Sequence, residues 1–125
     1  MSAKAREPSR RRAPRLPIRL EGSLAGRAVR DVTLVDLSLT GCLLRSDARL
    51  DHGAILDLSL RLDDGPLAAK VRVTETCLDG SCAEGEDKRY LTGLEFLGLP
   101  PRDAERIRRL MAEERRKRSA DAAAH

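Results

Sequence analysis

Two polar residues with the right spacing to act together, Asp36 and Ser38, stand in the run Asp36-Leu37-Ser38-Leu39-Thr40-Gly41. Side chains two apart on a strand share a face, so the carboxylate and the hydroxyl point the same way. A carboxylate accepts from two neighbouring N–H groups and a hydroxyl donates or accepts, which makes a small hydrogen-bonding platform. Leu37 and Leu39 then face a core. Gly41 ends the run, where a turn with positive φ would favour glycine. Taken alone, the same residues also suit an ordinary exposed turn. They are preceded, about twenty residues upstream, by Arg10, Arg11, Arg12 and Arg15. Such a run by itself is usually a solvated basic tail.

Periodicity supplies the elements that would bring the two groups together. Leu16, Ile18 and Leu20 alternate with Pro17, Arg19 and Glu21, a first strand closing at Gly22 to Gly26. Val29 to Ser38 is apolar on both faces in its middle, with Val32 and Leu34 on one side and Val35 and Leu37 on the other. This predicts a cover over the outer face. Cys42 to Arg45 reads as a third strand. Ala54 to Leu62 is the clearest, with Ala54, Leu56, Leu58, Leu60 and Leu62 facing one way. Asp64-Gly65 signals a hairpin into a fifth strand, Leu67 to Thr74. A polar loop, Leu78 to Lys88, precedes a sixth strand, Arg89 to Leu97, in which Gly93 indicates close backbone approach or a bulge. Pro100 and Pro101 open a helix, with Asp103 favouring its N-terminal dipole. Ala104, Ile107, Leu110 and Met111 form its apolar stripe, which would cover the Val32 and Leu34 region. The helix is predicted to fray over Glu113 to Arg118. The fold class is therefore all-β with a C-terminal helix: a small six-stranded antiparallel β-barrel. Its organisation is a disordered arm over 1–9, the barrel domain with its helix over 10–113, and a basic, Ala-rich tail over 114–125.

Composition narrows the function. The chain has 125 residues, enough for one domain with a single core. One Tyr, one Phe and no Trp leave little material for stacking bases. With 35% charged residues and a net charge of +4, the surface is strongly charged but only mildly basic. No apolar stretch approaches the ~20 residues of a membrane span. The basic N-terminus lacks the apolar region of a secretory signal, so the chain reads as cytoplasmic. Cys42, Cys77 and Cys82 fit neither a disulfide framework nor a complete zinc site, even with His52 added, and no metal is expected.

The pattern Arg-x-x-x-Arg (Arg11, Arg15), a strand, then Asp-x-Ser-x-x-Gly (Asp36, Ser38, Gly41) resembles the PilZ domain, the bacterial receptor module for cyclic di-GMP. Gly93-Leu94-Glu95-Phe96 resembles that family's closing strand, and the C-terminal helix its usual ending. The likeness runs from about Arg10 to Met111. It implies cyclic di-GMP as ligand, with Arg11, Arg15, Asp36, Ser38 and Gly41 in the site and Arg10 and Arg12 beside them. The chemistry agrees: Arg forks suit phosphate oxygens and the guanine O6/N7 edge, and guanidinium planes stack on bases. The opposite guanine edge presents N–H donors that suit the Asp36 carboxylate. The resemblance also implies an effector that changes its surface on ligand binding and regulates a downstream protein partner, with no cofactor. The Met1 to Pro14 arm would be its moving part.

Other classes fit less well. Two His, one of them at the terminus, leave no obvious general base, and no nucleophile has a partner, so an enzyme is not expected. A basic nucleic-acid-binding protein would use both Arg-rich ends but lacks stacking aromatics. An adaptor of the same fold that binds a protein and no nucleotide would have no need of the arginine and Asp-Ser-Gly residues.

Overall fold

The computed structural model describes residues 14–80 and 88–124. Arg10, Arg11, Arg12, Cys82 and the expected arm over 1–9 lie outside them. The elements are β1 (Leu16–Ala25), β2 (Val29–Leu37), β3 (Gly41–Ser46), β4 (Ile55–Leu62), β5 (Gly65–Leu78), β6 (Tyr90–Leu97) and α1 (Pro101–Ala124). All strand pairings are antiparallel, and the order β1-β2-β3-β6-β5-β4 closes into a barrel. The class read from the sequence is the class observed.

The inward positions are aliphatic: Leu24, Leu34, Leu37, Leu44, Leu58, Leu60, Leu67, Val71 and Val73 are all almost wholly buried. β4 alternates as expected, with Leu58, Leu60 and Leu62 inside and Asp57 and Arg61 exposed. Asp63 and Asp64 make the turn between β4 and β5, and Gly65 follows with φ of 117°, a conformation that glycine alone adopts cheaply.

β1 closes at Ala25, within the stretch expected from the sequence, with Gly22 paired to both Val32 and Leu60. A Cβ at Gly22 would lie 2.6 Å from the Ser59 carbonyl oxygen, so glycine lets β1 and β4 approach. Three other local expectations are corrected. Val32 and Leu34 are not an outer face under the helix. They point inward, as does Leu37, because the β2–β3 register slips by one residue between Leu34 and Asp36. An odd spacing thus stays on one face. β5 runs beyond Thr74 to Leu78, which puts Cys77 on a strand. Its register against β6 slips between Val73 and Glu75, opposite Gly93, in agreement with the reading of that glycine. Finally, α1 does not fray at Glu113. It is helical to Ala124, crossing the segment read as a tail.

Ile107 and Met111 of α1 join the core cluster, with Leu110 partly buried against it. Arg106 fixes the helix to the β4–β5 turn. Its guanidinium donates to Asp64 Oδ1 at 2.8 Å, the Gly65 carbonyl at 2.8 Å and the Pro66 carbonyl at 3.1 Å. This hydrogen bond holds the Asp64 carboxyl below its usual range. Further along α1, Arg118 donates to the Pro17 carbonyl at the start of β1.

Candidate functional site

The β2–β3 connection is a tight hairpin whose loop residues are Leu39 and Thr40. Ser38 N–H donates to the Gly41 carbonyl at 2.9 Å, and Ser38 Oγ accepts from the N–H groups of Thr40 and Gly41, both at 3.2 Å. Oγ also lies 3.1 Å from Thr40 Oγ1 and 3.2 Å from the Gly41 carbonyl oxygen. The hydroxyl read as one arm of a recognition platform is therefore buried and committed to the turn. It shapes the backbone that a ligand would meet.

Gly41 is required for a different reason from the one read in the sequence. Its φ is not in the left-handed region. Instead, an added Cβ would collide with the Leu94 carbonyl oxygen and sit 3.1 Å from Glu95 Cα. Gly41 pairs with Glu95, and Phe96 N–H donates to the Thr40 carbonyl at 2.9 Å, so the hairpin is seated on β6. Close backbone approach, and not turn geometry, excludes a side chain here.

Asp36 sits opposite Pro17 of β1 and Leu43 of β3. Its side chain is 17% exposed, and Arg15 Nη1 stands 3.7 Å from Oδ2, an ion pair beyond hydrogen-bonding distance. Oδ1 is buried and has no hydrogen-bond partner among the described residues. Burial raises the Asp36 pKa above its ordinary value, while Arg15 and the Leu43 backbone pull it down. A buried acceptor without a donor is costly, by about 1–3 kcal/mol, and marks a place where a donor is wanted. Next to it, burial and the Asp36 charge push the Cys42 thiol up to about 12. Cys42 is thus a protonated core residue.

Arg15, Ser38, Thr40 and Gly41 line one cavity of about 230 Å³ together with Thr74, Leu94 and Glu95. Of the residues singled out by sequence, Arg15, Ser38 and Gly41 share this cavity, and Asp36 meets Arg15 without lining it; Arg10, Arg11 and Arg12 lie outside the described residues. Thr40, Thr74 and Glu95 were not anticipated. Glu95 could have been found from the Gly93-Leu94-Glu95-Phe96 run once Gly41 is paired against it. It is held by Arg72 Nη1 at 2.9 Å. At about 230 Å³ the cavity is below the usual 300–1,000 Å³ of small-molecule sites. It suits part of a larger ligand, a base edge or a phosphate, beside the exposed Arg15 guanidinium. Among the described residues, no cluster of His, Cys, Asp and Glu is set to hold a metal, and no helix is long and apolar enough to cross a membrane.

A family model described as the PilZ domain matches residues 9–113. The fold is similar to the cyclic di-GMP-bound PilZ domain of YcgR from Escherichia coli, with a TM-score of 0.76 and 16% identity over 91% of this chain and 98% of that one. It is also similar to the Bacillus subtilis inhibitor of motility MotI, with a TM-score of 0.71 and 17% identity over 86% of this chain and 52% of that one. For the K. pneumonia MrkH complex with cyclic di-GMP the TM-score is 0.64, with 22% identity over 86% of this chain and 55% of that one. The chain thus spans about half the length of MotI and MrkH. No curated protein matches it by sequence.

Proposed function

The chain belongs to the PilZ domain family, and from that premise we propose that it is a bacterial, cytoplasmic cyclic di-GMP receptor that acts by binding and not by catalysis. The observation that carries this reading is Asp36 Oδ1, buried with no hydrogen-bond partner among the described residues, beside Arg15 at the foot of β1. A carboxylate left one donor short among the described residues faces a guanidinium held too far away to satisfy it. Guanine supplies both missing parts, N–H donors for Asp36 on one edge and an O6/N7 acceptor pair for an Arg fork on the other. Arg15, with Arg11 and Arg12 ahead of it and Arg10 at the margin, takes guanine and phosphate oxygens. Gly41 and the Ser38 turn give the flat backbone against which the base lies. Two phosphates neutralise arginines that would otherwise repel one another. The Arg10 to Arg15 segment then closes on the ligand and forms a new surface for a protein partner, the ligand's differential affinity driving the shift.

Calorimetric titration of the full chain with cyclic di-GMP, against GTP and cyclic di-AMP, tests the assignment. Saturable binding of cyclic di-GMP alone is expected. Arg11→Ala and Arg15→Ala should each weaken it by about 1.5–3 kcal/mol, the range for hydrogen bonds to charged groups. Unaltered affinity in both variants would overturn the reading. Limited proteolysis around Arg10 to Arg15, with and without ligand, tests the closure: protection that does not change with ligand removes it.

A further inference from the structure

A cavity of about 570 Å³, larger than the one beside Arg15, shares no residue with it. It originates in the strand ladders. The β1–β4 pairing ends at Ala25 and Asp57, while β4 stays paired to β5 as far as Ile55 and Arg72. Ile55 and Leu56 therefore have a strand partner on one side only. Gly26 lets the β1–β2 turn approach the Leu56 side chain, since a Cβ there would lie 2.6 Å from Leu56 Cδ2. The floor is apolar, with Leu24 only 2% exposed, whereas Ile55 on the rim is 54% exposed. Exposed Arg27, Arg30 and Arg49 also line it, against a single acidic residue, Asp51. Arg30 reaches Asp47 only at 3.8 Å. Arg27 and Arg49 form no ion pair among the described residues.

We propose that this cavity docks an acidic, extended segment of a protein partner that carries an apolar side chain between its acidic residues. Each feature of the wall matches one feature of such a segment. The edge at Ile55 and Leu56, paired on one side, lets an extended chain lie along β4 beside the arginines. The apolar floor takes a buried side chain, and covering Ile55 removes an exposed large apolar group from water. The three arginines meet carboxylates as charge-assisted pairs, and Arg around an apolar centre is the usual make-up of an interface hot spot. A small anion would leave Ile55 and the floor wet. A nucleic-acid strand would find no aromatic ring in the lining to stack on. The docking surface stands on its own and does not depend on what binds beside Arg15.

The test is fluorescence anisotropy on the full chain with three short labelled peptides. One alternates Glu with Leu, one replaces Glu by Lys, and one replaces Leu by Ser. The Glu/Leu peptide is expected to bind saturably and the other two at least about tenfold more weakly. The double variant Arg27→Glu/Arg49→Glu should lower its affinity by about tenfold or more, and Ile55→Ser should lower it with the melting temperature unchanged. Cyclic di-GMP affinity, measured by calorimetry, should be the same in the double variant as in the wild type. Four results overturn the proposal: no saturable binding up to about 1 mM; equal binding of the Lys/Leu peptide; indifference to reversal of Arg27 and Arg49; or a single-stranded RNA oligomer that binds with that Arg dependence when the Glu/Leu peptide does not. A joint loss of peptide and cyclic di-GMP binding in the double variant would overturn the separation of the two sites.

Discussion

Asp36→Asn isolates the chemistry of the site from its shape. The two side chains are nearly isosteric, but the amide replaces one acceptor by a donor. In the free protein the carboxylate is poorly served: Oδ1 has no partner among the described residues, and Arg15 stands 3.7 Å from Oδ2. Burial works against the charge. The variant therefore loses little in the free state, and its melting temperature should stay level or rise. With ligand the balance reverses. Guanine offers two N–H donors, and one would face the Asn N–H₂ group. Losing one hydrogen bond to a charged acceptor costs about 1.5–3 kcal/mol. At about 1.4 kcal/mol per decade this is an affinity loss of about 10- to 150-fold. Preference over cyclic di-AMP should shrink with it. Calorimetry and thermal melts of the same preparation give both halves. Undiminished cyclic di-GMP binding would make Asp36 a turn residue only. A fall of several degrees without ligand would make it a fold residue. Either result refutes the reasoning.

Gly41→Ala should destabilise the barrel by about 1–3 kcal/mol, as over-packing does, since β6 must yield at Leu94 and Glu95; an unchanged urea midpoint would show that the hairpin gives way freely. Ile107→Ala, at a wholly buried position, should cost about 2–5 kcal/mol, and Leu110→Ala, only partly buried, less; equal effects would mean that α1 docks differently in solution. Affinity for cyclic di-GMP should fall on acidification at a higher pH than an ordinary Asp would give, because binding needs the ionised carboxylate and burial raises the Asp36 pKa above 3.8; the Asn variant should show no such step. Stability follows the opposite sign there, because protonating Asp36 removes the cost of its buried charge. The Asp64–Arg106 contact holds instead until the pH falls through the depressed Asp64 pKa, below 3.8. Titrated binding and melting curves should therefore separate, and their coincidence would count against both assignments.

The barrel was legible because most strands alternate cleanly, and β4 shows that pattern from Leu58 to Leu62 without a break. What the alternation could not convey is an interruption of its own period. Val32 and Leu34 read as an outer face because Leu37 has the other parity, and only the slip in register reconciles them. The ligand platform was legible as a cluster of residue types but not as a division of labour. The sequence places Ser38 and Asp36 on equal terms, whereas hydrogen-bond geometry assigns the first to the turn and leaves the second short of a donor. Gly41 shows the same limit, since a collision with β6 is a long-range fact that a local turn signal mimics. The extent of α1 was misjudged because Arg115 to Arg118 are charged and exposed. Helix there follows from Glu, Arg and Ala propensity and not from an apolar stripe.

The slip in β2 also limits how the protein can be improved. Leu34 and Leu37 both fill the core across it, which leaves Val35 and Asp36 as consecutive positions outside the core. Deleting Val35 would restore an ideal pleat, the first change that a stabilising redesign would make. Asp36 and Leu37 would keep their β3 partners, Leu43 and Cys42, but Ile18 and Arg19 of β1, between Pro17 and Leu20, would then stand opposite no residue of β2. The slip of β2 against β3 and the irregularity of β1 against β2 are thus one feature of the backbone. A smoother β2–β3 ladder is available to this sequence only at the expense of the β1–β2 ladder that follows Arg15.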